Sequence, residues 1–319
     1  MKKLLLVLFT TVLMFTFLGC GNKETVDIGY SVPDTTNPFL GWLTSAVKEQ
    51  AEADGLTIQI ADAGNSSVTQ IEQIENFIAM KVKVLAIMPI DPNNVQAVIQ
   101  KAQAAGIKVL VAGTDTTYYD VMMNMDQYNA GEQIAEMFYT WKVETFGEEA
   151  QVKVIVMKCT ETVDMTNRSN GIVDKINSYD NIEVVIATAE ARSTAAATAV
   201  MENMWQQNSD AVGVLTYNAD GALGVNEYIM GLSNVNKAEF GIFSGDWSPP
   251  IQEVLNNSLT NLSVFRGTMQ IVGPQINGVQ TPLEQATYSI LKALSEDNYT
   301  GATFVEDAIA KAYGVTAEE

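Results

Sequence analysis

The sequence predicts an α/β protein built as two doubly wound lobes, each around a parallel sheet. Short apolar runs alternate with amphipathic stretches from Val26 onward. That alternation produces right-handed βαβ units and a parallel sheet. The rhythm pauses after a helical pattern marked by Ile134, Met137, Phe138 and Trp141, then begins again at Val152. No low-complexity linker separates the two rounds, so short crossings of the chain join the lobes. With 319 residues, 47% of them hydrophobic, the chain can bury two cores.

The elements follow in order. Residues 26–30 read as a strand, and Pro38 sits where a helix starts, since proline is tolerated in a first turn. Phe39, Leu43, Ala46 and Val47 recur at helical spacing, and residues 56–60 form the next strand. Ile71, Ile74 and Ile78 mark a helix. Residues 84–88 form a continuous apolar run, as a strand buried on both faces requires. Val95, Val98, Ile99 and Ala102 mark a helix before a strand at 109–112. The second round has strands at 152–157, 182–187, 211–216 and 240–244, with helices near 165–178, 193–207 and 219–231. A further strand is expected at 262–265, and Thr281-Pro282-Leu283-Glu284 reads as a capping box opening a last helix.

The start of the chain has its own pattern. Met1-Lys2-Lys3 is basic, residues 4–18 are apolar apart from threonines, and Leu18-Gly19-Cys20 leads into polar Gly21-Asn22-Lys23-Glu24. This is a secretory signal too short for an ordinary membrane span. It resembles a bacterial lipobox. Residues 1–19 are then a signal peptide, Cys20 is the lipidated residue, and residues 20–25 are a tether. Acyl chains on Cys20 would hold the protein on the extracytoplasmic face of the cell membrane.

Composition excludes several functions. Eighteen Lys and Arg against 38 Asp and Glu give a formal charge of -20, which disfavours nucleic acid. The chain has no histidine and only two cysteines, Cys20 and Cys159. That removes imidazole acid–base chemistry, His metal sites and a zinc cluster. No cofactor or metal is expected, and Cys159 reads as a buried thiol without a redox partner.

Ligands of open parallel sheets sit beyond the carboxyl ends of the strands. The residues there are Ser31 with Asp34, Asn37 and Phe39, then Asp115, then Asp164 and Arg168, then Tyr217-Asn218-Ala219-Asp220, then Asp246 with Trp247, and finally Arg266 and Gln270. Planar amides, carboxylates and rings suit a sugar, whose hydroxyls seek fixed hydrogen bonds and whose C–H faces pack on aromatics. Each residue also has a plainer role. Asp34 and Asn37 can shape a turn and cap a helix, Phe39 and Trp42 can belong to a core, and Asp115 can be a turn residue. Asp246 can cap a helix begun by Pro249-Pro250, and Arg168 can pair with a neighbouring carboxylate.

Several stretches together resemble the type I periplasmic binding proteins of the ribose/galactose group. They are Ile28-Gly29-Tyr30-Ser31 with Asn37-Pro38-Phe39, Gln70-Ile71-Glu72-Gln73-Ile74, Ile87-Met88-Pro89-Ile90-Asp91-Pro92, Asp126-Gln127-Tyr128-Asn129-Ala130-Gly131 and Asn218-Ala219-Asp220-Gly221-Ala222-Leu223-Gly224. The resemblance implies three hinge crossings, near Asp126, Gln270 and Phe304. It gives an N-terminal lobe of residues 26–125 plus 271–303 and a C-terminal lobe of 126–270 plus 304–319. It implies ligand contacts from Asn37, Phe39, Asn218, Asp246 and Gln270. It also implies a monomer that binds a small polar ligand and delivers it to ABC permease subunits. Two departures matter: the ribose-type Asp-Arg pair falls on Gly113-Thr114, and a ligand arginine of the second lobe falls on Thr166, beside Arg168. Threonine cannot copy the guanidinium fork. The departures, with Trp247 as a stacking surface, point away from ribose and toward a pyranose or another flat-faced polar solute. The expected ligand contacts are therefore Ser31, Asn37, Phe39, Asp115, Arg168, Asn218, Asp246, Trp247 and Gln270.

Two alternatives use the same lobes. A sensory lipoprotein would present its ligand state to a membrane receptor. An enzyme acting on a sugar could use a carboxylate pair such as Asp115 with Asp246. Against the enzyme, no GxGxxG follows the first strand, and no phosphate loop or Gly-x-Ser-x-Gly elbow is present.

Overall fold

The computed structural model describes residues 25–276, 279–305 and 309–314. The signal peptide, Cys20 and most of the tether lie outside the described residues. In chain order the first round is β1 (Ile28–Val32), α1 (Pro38–Ala53), β2 (Ile58–Asp62), α2 (Ser67–Met80), β3 (Val84–Ile87), α3 (Gln96–Ala104), β4 (Lys108–Ala112) and β5 (Val121–Met123). The second is α4 (Gln127–Phe146), β6 (Val152–Met157), α5 (Val163–Asn177), β7 (Ile182–Ile186), α6 (Thr194–Trp205), β8 (Gly213–Thr216), α7 (Ala219–Gly231), β9 (Gly241–Ser244), α8 (Pro249–Asn257) and β10 (Phe265–Val272). The chain closes with a short ribbon of β11 (Gln275–Ile276) and β12 (Val279–Gln280), then α9 (Leu283–Ser295), β13 (Phe304–Val305) and β14 (Ile309–Gly314).

These elements form two six-stranded sheets, ordered β13-β5-β4-β3-β1-β2 and β14-β10-β9-β8-β6-β7. Pairing is parallel throughout, except that β14 runs antiparallel to β10. Two doubly wound lobes result, as the alternating pattern predicts. The chain passes between sheets three times: between β5 and α4, between β10 and α9, and between Val305 and Ile309.

Central strands β1, β3, β8 and β9 are buried along their whole length, as their largely apolar sequences allow. Alternate residues feed cores on opposite faces of each sheet. In the first sheet Ala86, Leu110 and Ala112 face α1 and α9, whereas Leu85, Ile87, Val109 and Val111 face α2 and α3. In the second, Ile155, Val214 and Ile242 pack with α6, α7 and α8, and Val154, Val156 and Leu215 pack with α4 and α5. Most helices start at a capping Asn, Ser, Asp or Thr: Asn37, Ser66, Asp126, Thr162, Ser193 and Asn218 each accept from a backbone N–H in the first turn.

Two local expectations are corrected. The strand expected at 262–265 begins at Phe265, because Asn261 turns through left-handed backbone (φ 57°) and leaves Leu262 69% exposed. The capping box at 281–284 does not form: Pro282 occupies the cap of α9 and no side chain caps it.

Helices α4 and α5 approach until their backbones nearly touch. A Cβ on Gly131 would lie 2.1 Å from the Arg168 carbonyl oxygen, and one on Gly171 would lie 2.0 Å from that of Tyr128. This contact sets the position of Arg168.

Candidate functional site

A cavity of about 550 Å³ lies between the carboxyl ends of the two sheets, within the usual range for small-molecule sites. The first lobe contributes Asp34, Asn37, Phe39, Leu40, Met88 and Thr114. The second contributes Arg168, Arg192, Tyr217, Asn218, Asp220 and Asp246, and the chain crossing supplies Asn124, Met125 and Gln127.

Helix starts fix several of these groups. Asn37 Oδ1 accepts from Leu40 N at 2.8 Å and caps α1, which leaves Nδ2 to reach across the cleft and donate to Asp220. Asn218 Oδ1 accepts from Gly221 N at 3.0 Å and caps α7, while its Nδ2 donates to Arg192 O at 3.0 Å. Both asparagines therefore fill the plainer capping role and the cleft-lining role together. Asp246, just after β9, has a φ of 71°, a backbone state that residues other than glycine rarely adopt. Such strain collects at ligand sites.

Arg168 is the centre of the second-lobe wall and is only 3% exposed. Its Nη1 donates to Asp246 Oδ1 at 2.9 Å and to Tyr217 O at 3.3 Å. Its Nε donates to Gln127 Oε1 at 2.9 Å, and the guanidinium stacks 4.6 Å from the Tyr217 ring centre. Burial works most strongly against its charge, but Asp246, Tyr217 and Asp164 together outweigh burial and raise its pKa. Burial also pushes the Tyr217 phenol up to about 12.

Asp220 behaves differently. Burial, with Asp246 and Asp34 nearby, raises its pKa to about 6 despite the hydrogen bond from Asn37. A carboxyl group raised in the folded state stabilises the fold below its unfolded pKa, and that contribution is lost as pH rises through the folded value. Asp220→Asn should therefore melt with the wild type near pH 4 and above it beyond about pH 6.5, by about 1–3 kcal/mol. Thermal melts across that range check this; equal melting at neutral pH would contradict it.

The structure brings Asn37, Phe39, Arg168, Asn218 and Asp246 to one cavity. It places four other expected contacts elsewhere. Ser31 is inside β1, fully buried, and donates to Gln73 Oε1 at 3.0 Å. Asp115 lines a separate groove with Asp91 and Glu161, and its backbone N donates to Asp164 Oδ2 at 3.1 Å. Asp115 and Asp246 therefore share no cavity, which removes the carboxylate pair weighed above. Trp247 turns from the cavity to meet Trp42 edge-on, with ring centres 5.9 Å apart, and its indole N–H donates to Gln252. Gln270 lies within β10 opposite Lys311, and the next residue, Ile271, reaches the cavity instead, as strand alternation dictates. Thr166 bonds back to the carbonyls of Thr160 and Thr162.

Among the cavity-lining residues that the expected contacts leave out are Asp220, Tyr217 and Arg192. The first two stand in the polar cluster after the third strand of the second round. Arg192 precedes the cap of α6, a position with no distinctive sequence signal. Among the described residues no helix is long and apolar enough to cross a membrane.

Residues 28–265 match the periplasmic binding protein domain. The chain is 26% identical over 213 residues to the ribose import binding protein RbsB of Bacillus subtilis, covering 66% of this chain and 67% of that one. It is 22% identical to the D-apiose import binding protein of Actinobacillus succinogenes (69% and 70% covered) and to the galactofuranose-binding protein YtfQ of Escherichia coli (79% and 80%). Among solved structures, a Mycobacterium smegmatis protein in complex with β-D-fucofuranose aligns with a TM-score of 0.73 at 19% identity, covering 90% of each chain. An Actinobacillus succinogenes periplasmic solute-binding protein with bound D-allose aligns with 0.73 at 17% identity, covering 90% of this chain and 96% of that one. With its two parallel-sheet lobes and a match spanning most of its length, the chain belongs to the periplasmic binding protein domain family.

Proposed function

We propose that this protein captures a monosaccharide or similarly sized polyol between its lobes and delivers it to an ABC permease, without altering it chemically. The observation that carries this reading is one cavity walled from both lobes by fixed amides, an ion-paired carboxylate and an aromatic ring: Asn37, Asn218, Asp246 and Phe39. Contacts from both walls favour the closed arrangement, so binding would shift the population toward it. Relatives named for import of ribose and apiose support the assignment. The threonines at 114 and 166, where ribose-type proteins are expected to carry arginine, speak for a solute other than ribose.

The test is a thermal-shift and calorimetric screen of pentoses, hexoses, furanose sugars and inositols. A true solute at about a hundred times its Kd should add about 2.7 kcal/mol and raise the melting temperature by several degrees. No response to any of them would remove the reading.

The lipobox supports a finer proposal: a monomer anchored outside the cytoplasm through acylated Cys20. Cys20→Ser should move the protein from the membrane fraction to the soluble extracytoplasmic fraction, because membrane affinity resides in the acyl chains. Unchanged membrane association would refute the anchor.

A further inference from the structure

Five charged side chains line the cavity: Asp34, Arg168, Arg192, Asp220 and Asp246. Four are matched. Arg168 and Asp246 pair with each other, and Arg192 pairs with Glu161 at the rim. Asp34 accepts from Thr36 on one oxygen and from Asn65 on the other. Asp220 is left over. One of its oxygens accepts from Asn37; among the described residues no donor reaches the other, and no cation pairs with it.

A carboxylate in the first turn of α7 gains from the helix dipole, but an exposed acid there would gain as well. This one is held inside the cleft between the lobes, in the same cavity as Asp34 and Asp246, whose charges oppose its own. A neutral hydroxyl can donate to it yet leaves its charge uncompensated, which is costly in a water-poor site. An ammonium donates and neutralises together, and bonds between ionised partners are about twice as strong as neutral ones. An acidic solute would meet Asp220 and Asp34 with every cation of the cavity already engaged.

We propose that the solute is a sugar- or cyclitol-sized polyol carrying a protonated amine, with Asp220 as its counter-ion. This rests on the capture reading above and narrows its substrate class. The raised pKa of Asp220 fits a group awaiting a cation: burial above all, then Asp246 and Asp34, oppose its charge, Asn37 supports it, and the guanidinium of Arg168 is taken up by Asp246.

The test is calorimetry at about pH 7, where Asp220 is ionised, pairing D-glucosamine, D-galactosamine and D-mannosamine with D-glucose, D-galactose and D-mannose. At least one amino sugar should bind about tenfold or more tightly than its neutral parent, and Asp220→Asn should erase that ratio. Neutral parents binding as tightly as their amines, or a preference that survives Asp220→Asn, would overturn the proposal. The wild-type ratios decide the matter alone if the variant folds poorly. If neither set binds, the amine assignment fails; the capture reading then stands or falls on the wider screen.

Discussion

Arg168→Ala should lower stability by about 3–5 kcal/mol, which is roughly 6–15 °C in melting temperature, and should abolish solute binding. The size follows from what is left behind. Arg168 is the only cation paired with Asp246 among the described residues, and its truncation strands a mostly buried carboxylate. It also strips Gln127 Oε1 of its donor and Tyr217 of its stacking partner. Removing one member of a buried pair costs far more than replacing both with apolar groups of similar volume. Arg168→Met with Asp246→Asn, which removes both charges and keeps a residue that tolerates the left-handed backbone at 246, should therefore recover part of the melting temperature while still failing to bind. Near-wild-type melting of Arg168→Ala would show that the pair contributes little to the closed cleft.

Gly171→Ala should cost about 1–3 kcal/mol, and Gly171→Val more. Two effects compete. Alanine is the better helix former by about 1 kcal/mol. Against this, its Cβ would lie 2.0 Å from the Tyr128 carbonyl oxygen, and backbone cannot rotate away as a side chain can. Helices α4 and α5 must separate, and overpacking of this kind costs about 1–3 kcal/mol or more. The shift would also displace Arg168, three residues earlier on α5, so solute affinity should fall with stability. Urea unfolding measures the first and calorimetry the second. An unchanged midpoint would show that the helices yield more easily than this packing implies. Gly131→Ala strikes the same contact from the other helix, so the two changes together should cost less than their sum.

The fold was legible because central strands buried on both faces admit little but apolar residues. Runs such as Val84-Leu85-Ala86-Ile87 and Val152 to Met157 leave no other reading. The short strands Val121–Met123 and Phe304–Val305 offer too few residues for a pattern, and 309–314 has no continuous apolar run; all depend on neighbours supplied by the fold. The site was legible where a residue caps a helix and faces the cleft in one stroke, as Asn37 and Asn218 do. It was illegible where orientation decides. Ser31 and Gln270 lie in strands, where a single step in register reverses the facing. Trp247 follows a strand end as a ligand platform would, yet Trp42 captures its ring from the opposite lobe.

The place of α9 has a consequence for the order in which the protein can be finished. Its apolar face, with Leu283, Leu291 and Leu294, lies in the same core as Leu43 and Val47 of α1, and Tyr288 donates to Asp54, 234 residues earlier. The edge strand beside β5 comes later still, from Phe304–Val305. While the ribosome is making the second lobe, the first therefore has an uncovered oily flank and an open sheet edge. Contacts so distant along the chain form slowly, and the first lobe's core is complete only when α9 packs on α1. Its full core and its last sheet edge become available only once α9 and β13 have been made.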